Sequence, residues 1–305
     1  MHRMARHAFS LYEVKIRKFR SDEYLPVGAF GPNDSDLLAL YSEFLDSELK
    51  GKGKRIDKTE KYLRLENSEV DFRTLWFTVE SGNYGVTGKV VATDTGSDSY
   101  DIQKSDAASY PVRQALIIPT VGDCALWASE FVGHTSAFGA LCASFKEWFR
   151  EKFPNERYVI EINHFQDTNA WNEFINHSSL KEITYVVHQQ DSDGAVGSRI
   201  QEHRVKAARR RFLPAGWIKQ AMEKRLPSDT VFSVRVPDAD QVRMQIESDG
   251  RSRTIVVDHD LPRFMYELDN GPGGTPTPET FRSAVVSEAG ASLDYMHVSR
   301  RTWQQ

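Results

Sequence analysis

The sequence has little cysteine and no long apolar run. Its two cysteines, Cys124 and Cys142, lack a C-x-x-C neighbour and the spacing of a zinc site, so both are expected to be reduced core residues and no metal site is predicted from them. No segment approaches the roughly 20 apolar residues of a transmembrane helix. Charged residues flank the short apolar run near the N-terminus, which argues against a signal peptide. We therefore predict a cytoplasmic protein without membrane contact.

Recognisable catalytic and cofactor motifs are also missing. No G-x-G-x-x-G follows a strand pattern, so a dinucleotide-binding fold has no support, and the G-x-S-x-G of a serine hydrolase is absent. The stretch GVTGK at 85–89 has the wrong spacing for a phosphate-binding loop, and a hairpin turn explains it better. We expect no bound cofactor.

What the sequence does contain is the composition of a folded protein, with 40% hydrophobic residues and 17 Phe, 11 Tyr and 6 Trp among 305 positions. Alternating strand patterns predominate in the first half, starting at residues 8–19. Residues 37–49 have helical spacing, with Asp34 or Ser35 expected as the N-cap. A second helix is predicted from Phe138, ended by Pro154, and residues 72–92 resemble a hairpin that turns at SGNYG.

These patterns predict an α+β fold with a mixed, largely antiparallel sheet and helices packed on one face. The polar stretch QQDSDGAVGS at 189–198 is the predicted domain boundary. It separates a mixed α+β domain at 1–190 from a smaller region at 198–305, which is expected to hold a basic helix, a β-hairpin and a C-terminal helix.

Charge is distributed unevenly along the chain. Residues 198–227 carry a net charge of +7, whereas the whole chain carries −4 and the remainder therefore −11. Arginine suits forked contacts with phosphate, and a helix over HRVKAARRRF would spread its cations around the cylinder. A second basic stretch, KGKGKR, resembles a loop that touches a nucleic-acid backbone. The predicted nucleic-acid-binding residues are Arg204, Lys206, Arg209, Arg210, Arg211, Lys219, Lys52, Lys54 and Arg55.

Three alternatives stay open for this basic surface. It could bind nucleic acid, pair with carboxylates of the same chain, or capture an acidic protein partner. The aromatic residues Trp217, Tyr62 and Tyr24 lie near the basic stretches and could stack on bases, although the core is the more usual place for them.

Acidic strand ends provide a weaker, catalytic hypothesis. Glu161 and His164 end one predicted strand, and Asp258 and Asp260 end another. If the two ends met, they would suit Mg²⁺ and could activate a water for phosphodiester cleavage. The alternative is that these residues are a solvent-facing strand end and a turn.

Residues 113–193 contain ALIIPT followed by ALWASEFVGHTSAFGALCASFKEWF, the strand YVIEIN, and LKEITYVVHQQDSD. This layout resembles that of uncharacterised proteins of bacterial phage-defence loci. The resemblance implies a role in antiviral defence and transfers no catalytic residue. The leading prediction is a nucleic-acid-binding or effector-associated protein that acts through binding. The sequence leaves open whether the nucleic acid is DNA or RNA. The metal-dependent nuclease and the regulatory module that binds an acidic protein are the alternatives.

Overall fold

The computed structural model describes residues 7–133, 135–165, 178–189, 199–209, 211–222, 225–232, 239, 241–248, 251–257, 263–269 and 274–304. The chain forms two compact units. Unit 1 comprises residues 1–163 and 268–305, and unit 2 comprises residues 164–267. Within the described ranges, no helix combines the length and the apolar character needed to cross a membrane.

Unit 1 is built on an antiparallel sheet. Its strands are β1 (His7–Lys18), β2 (Tyr24–Leu25), β3 (Lys54–Ile56), β4 (Lys61–Asp71), β5 (Thr74–Asn83), β8 (Ala108–Ile117), β9 (Cys124–Val132), β10 (Thr135–Ser136) and β11 (Tyr158–His164). The strand order is β3-β4-β5-β8-β9-β1, with β2 and β11 pairing β1 and β10 pairing β9. Two further strands, β6 (Gly88–Val91) and β7 (Asp98–Ile102), form a separate two-stranded ribbon.

One face of this sheet is covered by two helices, α1 (Leu37–Phe44, followed by a π-helical turn to Leu49) and α2 (Phe138–Lys152). Their apolar stripes meet the inward residues of the strands in a core that contains Tyr41, Phe145 and Trp127. The Tyr41 ring lies 4.4 Å from that of Phe145 and 5.4 Å from that of Trp127. The predicted α+β class with a largely antiparallel sheet is confirmed.

A buried ion cluster joins the C-terminal helix α5 (Pro278–Tyr295) to the same sheet. Glu130 on β9 is 1% exposed and accepts hydrogen bonds from the Arg113 side chain, and its Oε1 lies 3.0 Å from His7 Nδ1. Arg113 also donates to the Thr277 carbonyl at 2.7 Å, immediately before α5. Phe281 packs edge-on against Phe9, at 5.9 Å between ring centroids. This helix therefore contributes a second packing layer, held by charge as well as by apolar contact.

Unit 2 is a second antiparallel sheet with short helices. Its elements are β12 (Ser179–Gln189), β13 (Arg199–Lys206), α3 (Gly216–Met222), α4 (Ser228–Phe232), β14 (Gln241–Ser248), β15 (Arg251–Val257) and β16 (Arg263–Glu267). The strand order is β13-β12-β14-β15-β16. Ile218, Ala221 and Val231 from the helices pack on the inward residues of β12, β14 and β15. The β-hairpin predicted for the C-terminal region is confirmed by β14 and β15, which pair antiparallel from Val242↔Val257 to Ser248↔Arg251.

The predicted basic helix is wrong. Residues 199–206 form β13, which pairs antiparallel with β12 from Glu182↔Lys206 to Gln189↔Arg199. Exposure alternates along the second half of this strand, since His203 and Val205 are half-buried and Arg204 and Lys206 are exposed, and Val205 packs on the unit 2 core. The predicted boundary at 189–198 lies, apart from Gln189, outside the described residues, and the predicted division at 190 stays a prediction.

Two local predictions also need correction. The hairpin predicted over 72–92 does not form, because β5 pairs with β4 and β8 while β6 pairs with β7. The hairpin that does form joins β6 to β7 and turns at TDTGS, where Gly96 has a φ of +70°. The N-cap of α1 is Asp36, whose carboxylate accepts a hydrogen bond from the Leu38 amide at 2.9 Å. The stretch TNAWNEFINHS at 168–178 also has the pattern of a short helix, and apart from Ser178 it lies outside the described residues.

Candidate nucleic-acid interface

A cationic cleft of about 610 Å³ lies at the β3–β4 end of the unit 1 sheet. It is lined by three cations, two tyrosines and one carboxylate, together with small residues at 105–109: Lys52, Arg55, Arg64, Tyr62, Tyr84, Glu80, Ser105, Ala107 and Ser109. We call this group of residues the cleft. Strand alternation explains its composition, since Tyr62 and Arg64 flank Leu63, which enters the core, and Glu80 follows the core residue Val79.

Arg55 and Tyr84 form a stacked pair in the cleft. The guanidinium carbon of Arg55 lies 4.3 Å from the centre of the Tyr84 ring. Tyr84 is itself buried, and its hydroxyl donates to Asp57 Oδ1 at 2.5 Å. That hydrogen bond, together with burial, raises the pKa of Tyr84. Arg55 is 57% exposed and lies 3.8 Å from the same Asp57 oxygen. The Arg55 guanidinium therefore lies over the Tyr84 ring and remains accessible to solvent.

Tyr62 and the turn before β3 shape the opposite wall. The Tyr62 hydroxyl donates to the Lys52 carbonyl at 3.0 Å, which fixes the loop that carries the exposed Lys52 side chain. Gly53 has φ +70°, and a Cβ there would lie 2.4 Å from the Leu63 carbonyl oxygen. Only glycine fits this close approach without strain. The expected core position of Tyr62 is wrong, because its ring is half-buried and lines the cleft.

Arg64 and Glu80 are direct cross-strand partners of β4 and β5. Arg64 Nε donates to Glu80 Oε2 at 2.9 Å, and Arg64 Nη2 lies 2.7 Å from the same oxygen. Both contacts use one carboxylate oxygen. The Glu80 side chain is 25% exposed. The pair thus lies in the cleft wall, with polar atoms left for other partners.

Lys54 is separated from the other predicted residues of its loop. It is opposite Leu63 in the β3–β4 register, and its ammonium lies 2.7 Å from Glu48 Oε2. Because neighbouring side chains of a strand point to opposite faces, Lys54 and Arg55 diverge. Of the three predicted residues at 52–55, Lys52 and Arg55 line the cleft, whereas Lys54 pairs with Glu48 outside it.

The basic strand of unit 2 is largely paired with its own chain. Arg204 Nε lies 3.2 Å from Glu182 Oε1, and Lys206 Nζ lies 3.9 Å from Glu182 Oε2. Arg204 also approaches Glu202 at 3.7 Å. These ion pairs match the self-pairing alternative for Arg204 and Lys206.

The residues after β13 are arranged differently. Arg209, Arg211 and Lys219 are exposed, and none of them forms an ion pair with a residue that the structure describes. Phe212 is exposed beside them, with the Lys181 ammonium 4.1 Å above its ring. Arg210 lies outside the described residues. Arg209 and Arg211 lie in the irregular segment after β13, whereas Lys219 lies on α3.

The acidic strand ends provide no metal site among the residues described. Glu161 on β11 accepts from Arg17 Nε at 2.5 Å and from the Tyr24 hydroxyl at 3.0 Å. The Arg17 and Tyr24 hydrogen bonds lower the pKa of Glu161. His164 ends the same strand, whereas Asp258 and Asp260 lie outside the described residues. Within the described part of the chain, no group of three His, Cys, Asp or Glu side chains could hold a metal ion.

Sequence reasoning found Lys52 and Arg55 by their charge but missed Arg64, Glu80 and Tyr84. These three lie on β4, on β5 and just after β5, and single charges in alternating strands are common. A usable signal was period-two alternation, which places Tyr62 with Arg64 on one face.

Comparison with known proteins leaves the site to be judged by its geometry, since no family model, no curated protein and no solved structure matches this chain.

Proposed function

We propose that this protein binds single-stranded nucleic acid in the cleft of unit 1. The observation that carries the proposal is the placement of three cations, Lys52, Arg55 and Arg64, around two tyrosine rings in one concavity. Proteins that bind single strands combine a cationic groove for the phosphates with flat platforms for the bases. The cleft has both parts.

The cations suit phosphate because two of them are not committed to carboxylates within the cleft. Lys52 is exposed and forms no ion pair with a described residue. Arg55 is 3.8 Å from Asp57, a distance at the limit of ion pairing, and most of its side chain is accessible. Each phosphate that such groups neutralise releases counterions and makes binding salt-dependent.

The aromatic part favours an unpaired strand over a duplex. A base can stack on the Arg55 guanidinium, which Tyr84 holds in place from behind, or against the half-buried Tyr62 ring. Base faces are available for such stacking in single strands and are covered by their neighbours in a duplex. The proposal therefore includes a preference for single-stranded over double-stranded ligands.

Binding without chemistry of its own is the proposed mode of action. Glu161, a residue of the nuclease hypothesis, is held by Arg17 and Tyr24. A cytoplasmic location and a role in bacterial anti-phage defence, with an effector or another protein as partner, are part of the proposal and depend on the sequence alone. The exposed Arg209, Arg211 and Lys219 of unit 2 are the corresponding candidates for an acidic protein partner.

The test is the binding of fluorescein-labelled thymidine and uridine nine-mers, measured by anisotropy at low salt. We expect Arg55→Ala and Lys52→Ala each to weaken binding about tenfold, since each removes a hydrogen-bonded charge worth about 1.5–3 kcal/mol. Lys54→Ala is the matched control, because it removes the same charge from the same loop but on the other face. Equal losses for all three variants, or no binding to any nine-mer, would overturn the proposal.

A further inference from the structure

The cleft contains a carboxylate that phosphate binding does not explain. Glu80 lines the same concavity as Lys52 and Arg55, and its side chain is partly accessible. A carboxylate only accepts hydrogen bonds when ionised and repels phosphate. Its natural partner in a nucleic acid is a base edge that donates hydrogen bonds.

The contacts of Arg64 leave Glu80 available for such an edge. Both the Nε and the Nη2 of Arg64 reach Oε2, at 2.9 Å and 2.7 Å, and no described residue donates to Oε1. No described residue accepts from Arg64 Nη1 either. Glu80 Oε1 and Arg64 Nη1 therefore have no hydrogen-bond partner among the described residues.

We infer that the Arg64–Glu80 pair selects guanine among the bases that enter the cleft, an inference that rests on the proposed function. Guanine presents two adjacent donors, N1–H and the N2 amino group, next to the O6 acceptor. The Oε1 of Glu80, which Arg64 leaves available, accepts from these two donors on one base edge, and Arg64 Nη1 donates to O6. Thymine and uracil instead flank a single N3–H with two carbonyl oxygens, which a carboxylate repels.

Cytosine and adenine fit the pair less well than guanine. Each offers an exocyclic amino donor, N4 or N6, but the neighbouring ring nitrogen on the pairing edge is an acceptor. A second hydrogen bond to the carboxylate is therefore lost. Hydrogen bonds to charged groups are worth about 1.5–3 kcal/mol, so guanine is expected to bind about 10- to 100-fold more tightly than thymine.

The experiment compares labelled nine-mers of thymidine that carry one central guanine, hypoxanthine, adenine, cytosine or thymine. Hypoxanthine lacks only the N2 amino group of guanine and isolates one of the two donors. We expect the guanine nine-mer to bind most tightly and the hypoxanthine nine-mer about tenfold more weakly. Equal affinities for these two ligands would overturn the inference.

Variants connect the preference to Glu80. Glu80→Gln keeps the size of the side chain, replaces one acceptor by a donor, and should abolish the guanine preference, so that the guanine and thymidine nine-mers bind with equal affinity. Glu69→Gln is the control, because Glu69 is an exposed β4 carboxylate that pairs with Arg282 away from the cleft. A preference that survives Glu80→Gln contradicts the inference.

The two proposals fail in different ways. If all nine-mers bind equally and Arg55→Ala weakens every one of them, single-strand binding stands and the guanine inference is wrong. If no nine-mer binds the native protein, both are wrong. Thermal melting of Glu80→Gln, expected to lie close to that of the native protein, shows that the loss of preference does not come from unfolding.

Discussion

Arg55 lies over the face of Tyr84, with 4.3 Å between the guanidinium carbon and the ring centre, while the Tyr84 hydroxyl is anchored on Asp57. The hydroxyl anchor fixes the Tyr84 ring, and the ring offers its face to the Arg55 guanidinium. Preorganisation of this kind lowers the entropic cost of binding a flat ligand. In the proposed complex, Arg55 is therefore a stacking surface for a base as well as a charge.

Arg55→Lys tests the platform separately from the charge. Lysine keeps the positive charge but lacks the planar group that stacks on Tyr84 and on a base. A stacked guanidinium at an exposed site is worth about 0.5–1 kcal/mol, so binding of a thymidine nine-mer should weaken about two- to fivefold. Anisotropy titration measures this change, and an affinity equal to that of Arg55→Ala would show that the charge alone contributes nothing.

The buried cluster of Glu130, His7 and Arg113 should be essential for the stability of unit 1. Glu130→Ala leaves the Arg113 guanidinium without its carboxylate in a site where Glu130 itself is 1% exposed. Removal of one member of a buried ion pair costs about 3–5 kcal/mol. Urea denaturation monitored by tryptophan fluorescence provides the free energy of unfolding.

The exposed pair of Glu69 and Arg282 is the control for that loss. Glu69→Ala should change the free energy of unfolding by less than about 1 kcal/mol, as is usual for exposed ion pairs. If Glu130→Ala changed it as little as Glu69→Ala, the cluster would not hold α5 to the sheet.

The sequence was sufficient for elements whose residues repeat with one clear period. The spacing of Phe138, Leu141, Phe145 and Phe149 predicted α2 because these side chains meet a single apolar surface. β13 was predicted as a helix because its charged residues conceal the alternation of His203 and Val205. The number of charged residues in a segment does not show whether its side chains repeat with the period of a helix or of a strand. The segment is a strand because it pairs with β12.

The candidate site was predictable only in part for a related reason. Lys52 and Arg55 were visible as a local cluster of charge, whereas Glu80 and Tyr84 reach the cleft through the register of β4 against β5. Register depends on long-range pairing that a single chain pattern does not specify. The opposite orientations of Lys54 and Arg55 were also not predictable. They depend on which face of β3 is covered by the rest of the protein, and a local pattern does not specify that face.

The two cysteines should differ in reactivity. Burial in β9 raises the pKa of Cys124 to about 12, and burial also raises the pKa of the less enclosed Cys142. Since the thiolate is the reactive form, both should react slowly with a disulfide reagent at pH 8 in the native protein, and Cys142 first. Cys142→Ala should abolish the earlier phase, and denaturant should expose every remaining thiol. A fast-reacting Cys124 would contradict its burial.

Glu161 should stabilise the fold in a pH-dependent way. Its pKa is lowered from 4.5 by the hydrogen bonds from Arg17 and Tyr24. A carboxyl group with a lowered folded pKa adds stability above its unfolded pKa and loses it as the pH falls through the folded value. The difference in melting temperature between the native protein and Glu161→Gln should therefore be largest near pH 7 and shrink below about pH 4.5. A difference that does not vary with pH would show that the ion pair is not its source.

The most direct test of the central claim is the salt dependence of binding of a thymidine nine-mer. For single strands, the logarithm of the affinity falls with the logarithm of the salt concentration by about 0.7 for each phosphate neutralised. If the cleft cations contact phosphates, Arg55→Ala and Lys52→Ala should each reduce this slope by about 0.7, and Lys54→Ala should leave it unchanged. A slope that is the same in the native protein and in both cleft variants would contradict the account.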